Sequence, residues 1–150
     1  MNGPNGAGAF GASVSENWLN SINQCDSQQQ RSLMFPKVLN RIFQVWSYTV
    51  GHGQLLLRST KTEECSTRID VGFKNVVYVQ LPMLININEI YLGSLVDLPE
   101  DVRRLIDLKD KSVYVIDIDG AKGVVAAGYG AWHEDEGEYN QPSTVLPILP

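Results

Sequence analysis

Two apolar spacings alternate along this chain. Near its start, Val14, Trp18, Ile22 and Cys25 are separated by four, four and three positions, which places one apolar face on a helix. Ser13 and Glu16 supply the reciprocal capping pattern that opens such a helix just ahead of the apolar run. From Ile42 the period changes to two. Phe43, Val45, Ser47 and Thr49 fall in one phase, and Ile42, Gln44, Trp46, Tyr48 and Val50 in the other, as in a strand. Gly51-His52-Gly53 can bend the chain, so that Gln54 to Thr60 returns as a partner strand.

Further period-two runs follow at Thr67 to Phe73, Asn75 to Leu81 and Leu84 to Tyr91. Gly72-Phe73-Lys74-Asn75 marks either a reversal or a bend within one longer strand. The clearest hairpin joins Ser112–Ile118 to Ala121–Tyr129 through Asp119-Gly120, a dipeptide that tolerates the positive φ of a tight turn. Between these runs, Asp97 to Ile106 reads as a short helix. Asp97 is its cap, Val102, Leu105 and Ile106 form its apolar stripe, and Arg103 and Arg104 face water.

The pattern predicts a mainly β fold, with α+β as the nearest alternative. It takes the form of a bent antiparallel sheet, sandwich or partly open barrel with two or three short peripheral helices. Short connections favour antiparallel pairing, and the scarcity of long helices argues against a doubly wound parallel sheet. Residues 1–12, rich in Gly, Ala and Asn, read as a flexible leader, 13–141 as a single domain, and 142–150 as a Pro-rich extended segment whose Val145, Leu146, Ile148 and Leu149 favour docking.

Composition narrows the partners. The formal net charge is -5, and the largest visible basic cluster is the Arg103-Arg104 pair. Such a field repels phosphate backbones and anionic membrane surfaces and leaves a basic protein or a cation as the expected partner. No apolar run reaches the roughly 18 residues of a membrane helix, and the first residues lack the basic and apolar regions of a signal peptide, so the expected location is cytoplasmic. In that setting Cys25 and Cys65 read as two free thiols, with one bridge as the alternative.

The densest polar cluster is His133-Glu134-Asp135-Glu136 followed by Glu138, flanked by Tyr129, Trp132 and Tyr139. It reads as a solvated acidic loop with an aromatic flank, and these eight residues form the candidate contact region. They lack the ligand spacing of an EF-hand. Cys25, His52, Cys65 and His133 are enough donors for zinc in number, but no local ligand signature joins them, and neither a metal nor a cofactor is expected.

Val115-Ile116-Asp117-Ile118-Asp119-Gly120 resembles the first motif of haloacid-dehalogenase-type phosphotransferases. The resemblance implies Asp117 as nucleophile and Asp119 as acid/base. It covers about ten residues, Ala121 stands where that motif has Thr, and no alternation of strands and helices follows. Asp-Gly as a hairpin turn accounts for the same string.

The expected function is that of a noncatalytic, acidic protein-binding protein, an inhibitor or immunity-like factor. One alternative is a small β-fold hydrolase in which His52 or His133 acts beside a carboxylate. Another is a structural homo-oligomer whose Pro-rich end crosses a subunit boundary.

Overall fold

Apolar side chains on alternate positions can be buried only if each sheet face meets another surface, and here the sheet achieves this by closing on itself. The computed structural model describes residues 31–33 and 35–146. Its strands are β1 (Arg31–Leu33), β2 (Lys37–Thr49), β3 (Gln54–Ser59), β4 (Arg68–Gln80), β5 (Leu84–Leu92), β6 (Ser112–Ile118) and β7 (Ala121–Asp135). All pairings are antiparallel. Six strands form a ring in the order β2-β3-β4-β7-β6-β5, and β5 returns to β2. The short β1 lies on β7 beyond the stretch that β6 occupies.

The connectivity is a Greek key. Strands β2, β3 and β4 form a meander, and β5 then lies beside β2. Only Leu81, Pro82 and Met83 make the crossing, and the Met83 carbonyl accepts a bond from the Val45 amide at 2.9 Å. The two runs on either side of Asn75 belong to one strand, β4, whose register shifts between Val76 and Tyr78. Asn75 itself has a φ of 54°. The β6–β7 hairpin turns at Asp119-Gly120 with φ values of 36° and 85°. The side chain of Asp119 accepts bonds from Asn86 and Asn88 on β5. The string that resembles a phosphotransferase motif is thus a hairpin tip.

The ring encloses Phe43, Leu55, Leu57, Ile69, Val71, Phe73, Ile85, Ile87, Ile90, Ile116 and Val125, joined by Phe35, Tyr114 and Trp132. Tyr114 meets Phe35 edge-on at 5.5 Å and Phe73 at 5.2 Å between ring centroids. In β2 the inward phase of Phe43 and Val45 holds until a bulge at Trp46 shifts the register. Beyond it Tyr48 stands opposite the core residue Leu55, so Trp46 and Tyr48 do not continue one strand phase.

The two or three short helices are not borne out among the described residues. The expected helix from Asp97 is instead a single 3-10 turn at Leu95–Asp97 followed by a four-residue α-helix at Glu100–Arg103. Asp97 belongs to the capping box of Ser94 and accepts the Ser94 amide at 2.8 Å, and Pro99 occupies the cap position of the helix. The expected apolar stripe is not buried: Leu105 is 83% exposed, whereas Leu98 is buried. Arg103 folds back onto the Leu98 and Val96 carbonyls instead of facing water. The helix expected at 13–25 lies outside the described residues.

After β7 the chain turns at Glu136 and runs back over the outer face of the sheet as far as Leu146. A Cβ at Gly72 would lie 2.6 Å from the Leu146 side chain and 2.7 Å from that of Val145, so these two residues rest directly on β4. Val145 and Leu146 therefore pack on the barrel; 147–150 lie outside the described residues. Among the described residues, no helix is long and apolar enough to cross a membrane.

Removing the Phe73 ring would leave a cavity between Phe35 and Tyr114. Phe73→Ala is expected to lower stability in urea denaturation by about 3–5 kcal/mol, against about 0.5 kcal/mol or less for Val77→Ala on the exposed side of β4.

Candidate functional site

Strand alternation puts Arg58 of β3, Arg68 and Asp70 of β4, and His133 and Asp135 of β7 on the outside of the barrel. An outward charge normally meets water. These are buried because the returning chain, residues 137–146, lies over them. Arg58 grips Asp70 with two hydrogen bonds, Nε to Oδ1 at 2.7 Å and Nη2 to Oδ2 at 2.9 Å, and both side chains are at most 2% exposed. Arg68 holds Asp135 in the same two-pronged geometry at 2.9 and 2.8 Å. Planar guanidinium and carboxylate groups match in this way, and two parallel charge-assisted bonds give direction as well as strength.

The remaining guanidinium donors are used by the covering chain. Arg58 Nη1 donates to the carbonyls of Tyr139 and Gln141 at 2.7 and 2.9 Å, and Arg68 Nη1 to those of Glu138 and Gln141 at 2.9 and 2.8 Å. The strap thus contributes backbone acceptors where an irregular segment would otherwise have unpaired carbonyls. Trp46 covers Arg58 from the other side, with the guanidinium 5.1 Å from its ring centroid.

A second polar group closes one end of the barrel interior. Arg41 donates to Ser59 Oγ at 3.1 Å, to Thr67 Oγ1 at 3.1 Å, and to the Thr60 and Thr67 carbonyls at 3.2 and 2.6 Å. The Thr67 hydroxyl in turn donates to Glu134 Oε1 at 2.7 Å. Burial lowers the pKa of Arg41 and the charge of Glu134 opposes this, but an arginine stays protonated throughout the physiological range. The group anchors both ends of the loop that joins β3 to β4.

Beside that loop a groove of about 500 Å³ opens, lined among others by Arg41, Ile42, Gln44, Thr62, Cys65 and Asn86. Cys65 is disulfide-bonded, which corrects the free-thiol expectation for this residue; the chain's other cysteine, Cys25, lies outside the described residues. A bonded sulfur is not a thiolate ligand, and among the described residues no three His, Cys, Asp or Glu side chains converge as a metal site.

The eight residues of the expected contact region are divided by the fold. Trp132, His133 and Glu134 are buried and Asp135 nearly so, because β7 continues through them instead of ending at Tyr129. Trp132 and Glu134 face the interior, while His133 and Asp135 lie beneath the strap. A solvated loop begins only after Asp135: Glu136 is exposed, Glu138 65% and Tyr139 61%. Tyr129 is also exposed, but it pairs with Lys74 farther along β4 from the strap end, where Arg68 opposes Asp135.

Of the alternative catalytic residues, His52 is exposed in the turn after β2, with a φ of 64°. His133 Nε2 lies 3.7 Å from Asp135 Oδ2, a carboxylate whose two oxygens are already held by Arg68. The groove is lined by neither histidine.

Sequence reasoning passed over Lys61, Glu63 and Glu64 of the β3–β4 loop; Lys61 meets the strap, and Glu64 lines the groove. Glu63 and Glu64 are exposed, and Lys61 Nζ lies 2.8 Å from Glu138 Oε1. This exposed pair contributes roughly 0–1 kcal/mol and ties the loop to the strap. Comparison of the chain with protein-family models, curated proteins and solved structures finds no match.

Asp70→Ala is expected to strand the Arg58 charge beneath the strap and lower stability by about 3–5 kcal/mol, while the paired Arg58→Met/Asp70→Leu variant loses much less, as measured by denaturant unfolding. A second expectation concerns pH. Burial raises the Asp135 pKa, but the Arg68 hydrogen bonds, the Gly137 amide and the charges of Arg68 and His133 outweigh it, leaving the carboxyl below its ordinary 3.8. The unfolded chain recovers the ordinary value, so this contribution is present above it and is lost as pH falls through it toward the lower folded value. Unfolding midpoints of the wild type should therefore drop between about pH 5 and pH 2 more steeply than those of Asp135→Asn, which starts weaker at neutral pH.

Proposed function

We propose that this chain is a noncatalytic binding protein that meets a basic protein through the acidic rim at the strap end of its barrel. One observation carries the reading. Carboxylates around the strap fall into two sets, Asp70 and Asp135 neutralised beneath it, and Glu136 and Glu138 presented to solvent next to Tyr139 in the chain, with Glu63 and Glu64 exposed on the loop that Lys61 ties to Glu138. The second set has only the exposed Lys61–Glu138 pair set against it among the ion pairs of the described residues. A rigid barrel with a one-sign rim steers an oppositely charged partner, and a large exposed tyrosine adds contact area at small entropic loss. The net charge of -5 acts in the same direction.

An inhibitor or immunity-like role is the finer form of the same reading, resting on size and acidity. The Cys65 disulfide favours an oxidising compartment over the cytoplasm for this activity. The hydrolase alternative gains nothing from the positions of His52 and His133 described above.

Cross-linked capture with wild-type protein is expected to recover a basic protein whose retention falls as salt rises. Glu63→Gln/Glu64→Gln/Glu136→Gln, which touches no buried pair, should weaken that complex by about tenfold or more, mainly by slowing association. Recovery of the same protein with equal affinity by this variant would remove the rim from the mechanism.

A further inference from the structure

We propose that this chain forms a two-fold dimer by pairing the free edge of β4, residues 77–80, antiparallel with the same edge of a second copy. Tyr78 lies ten residues, roughly 33 Å along the strand, from Arg68 at the strap end. The inference is therefore independent of the acidic rim.

The barrel wall is paired along only part of β4. On one side β7 accompanies it as far as Gln80↔Val124, whereas on the other β3 pairs with it at residues 69–73. The Gly51–Gly53 turn then lies against Val76, since a Cβ at Gly53 would stand 3.1 Å from the Val76 nitrogen. Beyond that point, among the described residues, no strand pairs with residues 77–80 on the side away from β7. Such an edge offers backbone donors and acceptors to a further strand. The side chains report the same gap. Val79 stands opposite Val125, a core residue with no exposure, and so shares its inward phase, yet Val79 is 45% exposed. Val77 is exposed to the same extent. A strand laid along this edge would take both from water.

A second copy of the chain fits this edge. A two-fold axis presents a strand to itself in the antiparallel sense, so each unmet donor finds the matching acceptor on the other copy. With Tyr78 opposite Tyr78 of the second copy, Val77 of each chain faces Val79 of the other, which makes two apolar cross-strand pairs. Charge selects this surface. Two chains of net charge -5 repel wherever their carboxylates meet, but residues 75–88 include no charged side chain, the longest approach to the barrel that like-charged copies could share around this edge. Residues 77–80 also lack the lysine and proline by which exposed edges are ordinarily kept apart. Val50, just before the turn that meets Val76, and Met83, in the crossing after Gln80, are both well exposed and extend the uncharged surface.

Sedimentation equilibrium of the full chain, from low micromolar to near-millimolar concentration, tests the proposal. A reversible dimer is expected. Val77→Lys/Val79→Lys sets lysine against lysine across the axis and should raise the dissociation constant about tenfold or more. Hydrogen exchange of the wild type needs no variant: the amides of 77–80 that point away from β7 should slow as concentration rises, while the β6–β7 hairpin is unchanged. Glu63→Gln/Glu64→Gln/Glu136→Gln should dimerise at least as strongly as the wild type, which separates this edge from the rim. A monomer at every concentration, or a dimer of equal strength in the lysine variant, including one held covalently, would overturn the proposal. So would a monomer whose 77–80 amides are all slow from the start, since another strand would then fill the edge.

Discussion

Two arginine–carboxylate pairs on the outer wall of the barrel set a condition that the surrounding structure has to satisfy. Ionised groups removed from water are tolerated only where their donors and acceptors are matched in geometry and number. Arg58 and Arg68 each spend two donors on a carboxylate and further donors on carbonyls of the returning chain. The dependence runs both ways. The strap cannot lie on this face without acceptors for the guanidinium groups, and the pairs cannot be dry without the strap. Gly72 completes the arrangement, since any side chain there would push Val145 and Leu146 off the sheet.

From this follows the character of the strap end. Carboxylates needed inside are consumed there, and those left on the turn after β7 project outward beside the β3–β4 loop. The Arg41–Thr67–Glu134 chain fixes that loop from the barrel interior, so its exposed glutamates are carried on an anchored segment. A loop held by a polar plug at its ends and by the Lys61–Glu138 pair along its length is more ordered than a free acidic loop.

Much of the sheet could be read from residues. The period-two runs at 42–50, 54–60, 84–91 and 112–118 correspond to β2, β3, β5 and β6, and Asp119-Gly120 to the hairpin turn. Local turn chemistry and alternation are short-range properties, so they survive without tertiary information. The helix at Asp97 failed because its stripe of Val102, Leu105 and Ile106 has little core to meet, and Asp97 caps a preceding turn instead. The acidic segment was the larger misreading. Four consecutive polar or charged residues after Trp132 suggest solvent, and nothing local shows that Arg68, sixty-seven positions away, stands opposite Asp135.

What the sequence by itself determined is the class of the protein: a mainly β chain with antiparallel hairpins, a net acidic surface and Phe, Ile and Val on one phase of its strands. The alternation of side chains along a strand is a covalent consequence of backbone geometry, and it needs no partner to be recognised. Tertiary structure alone decided which face of β3, β4 and β7 would be dry, because that depends on where the last ten described residues return. It decided too that Glu134 enters the core while Glu136 meets water, since β7 carries Glu134 inward to the Thr67 hydroxyl and ends at Asp135, leaving Glu136 in the turn that follows.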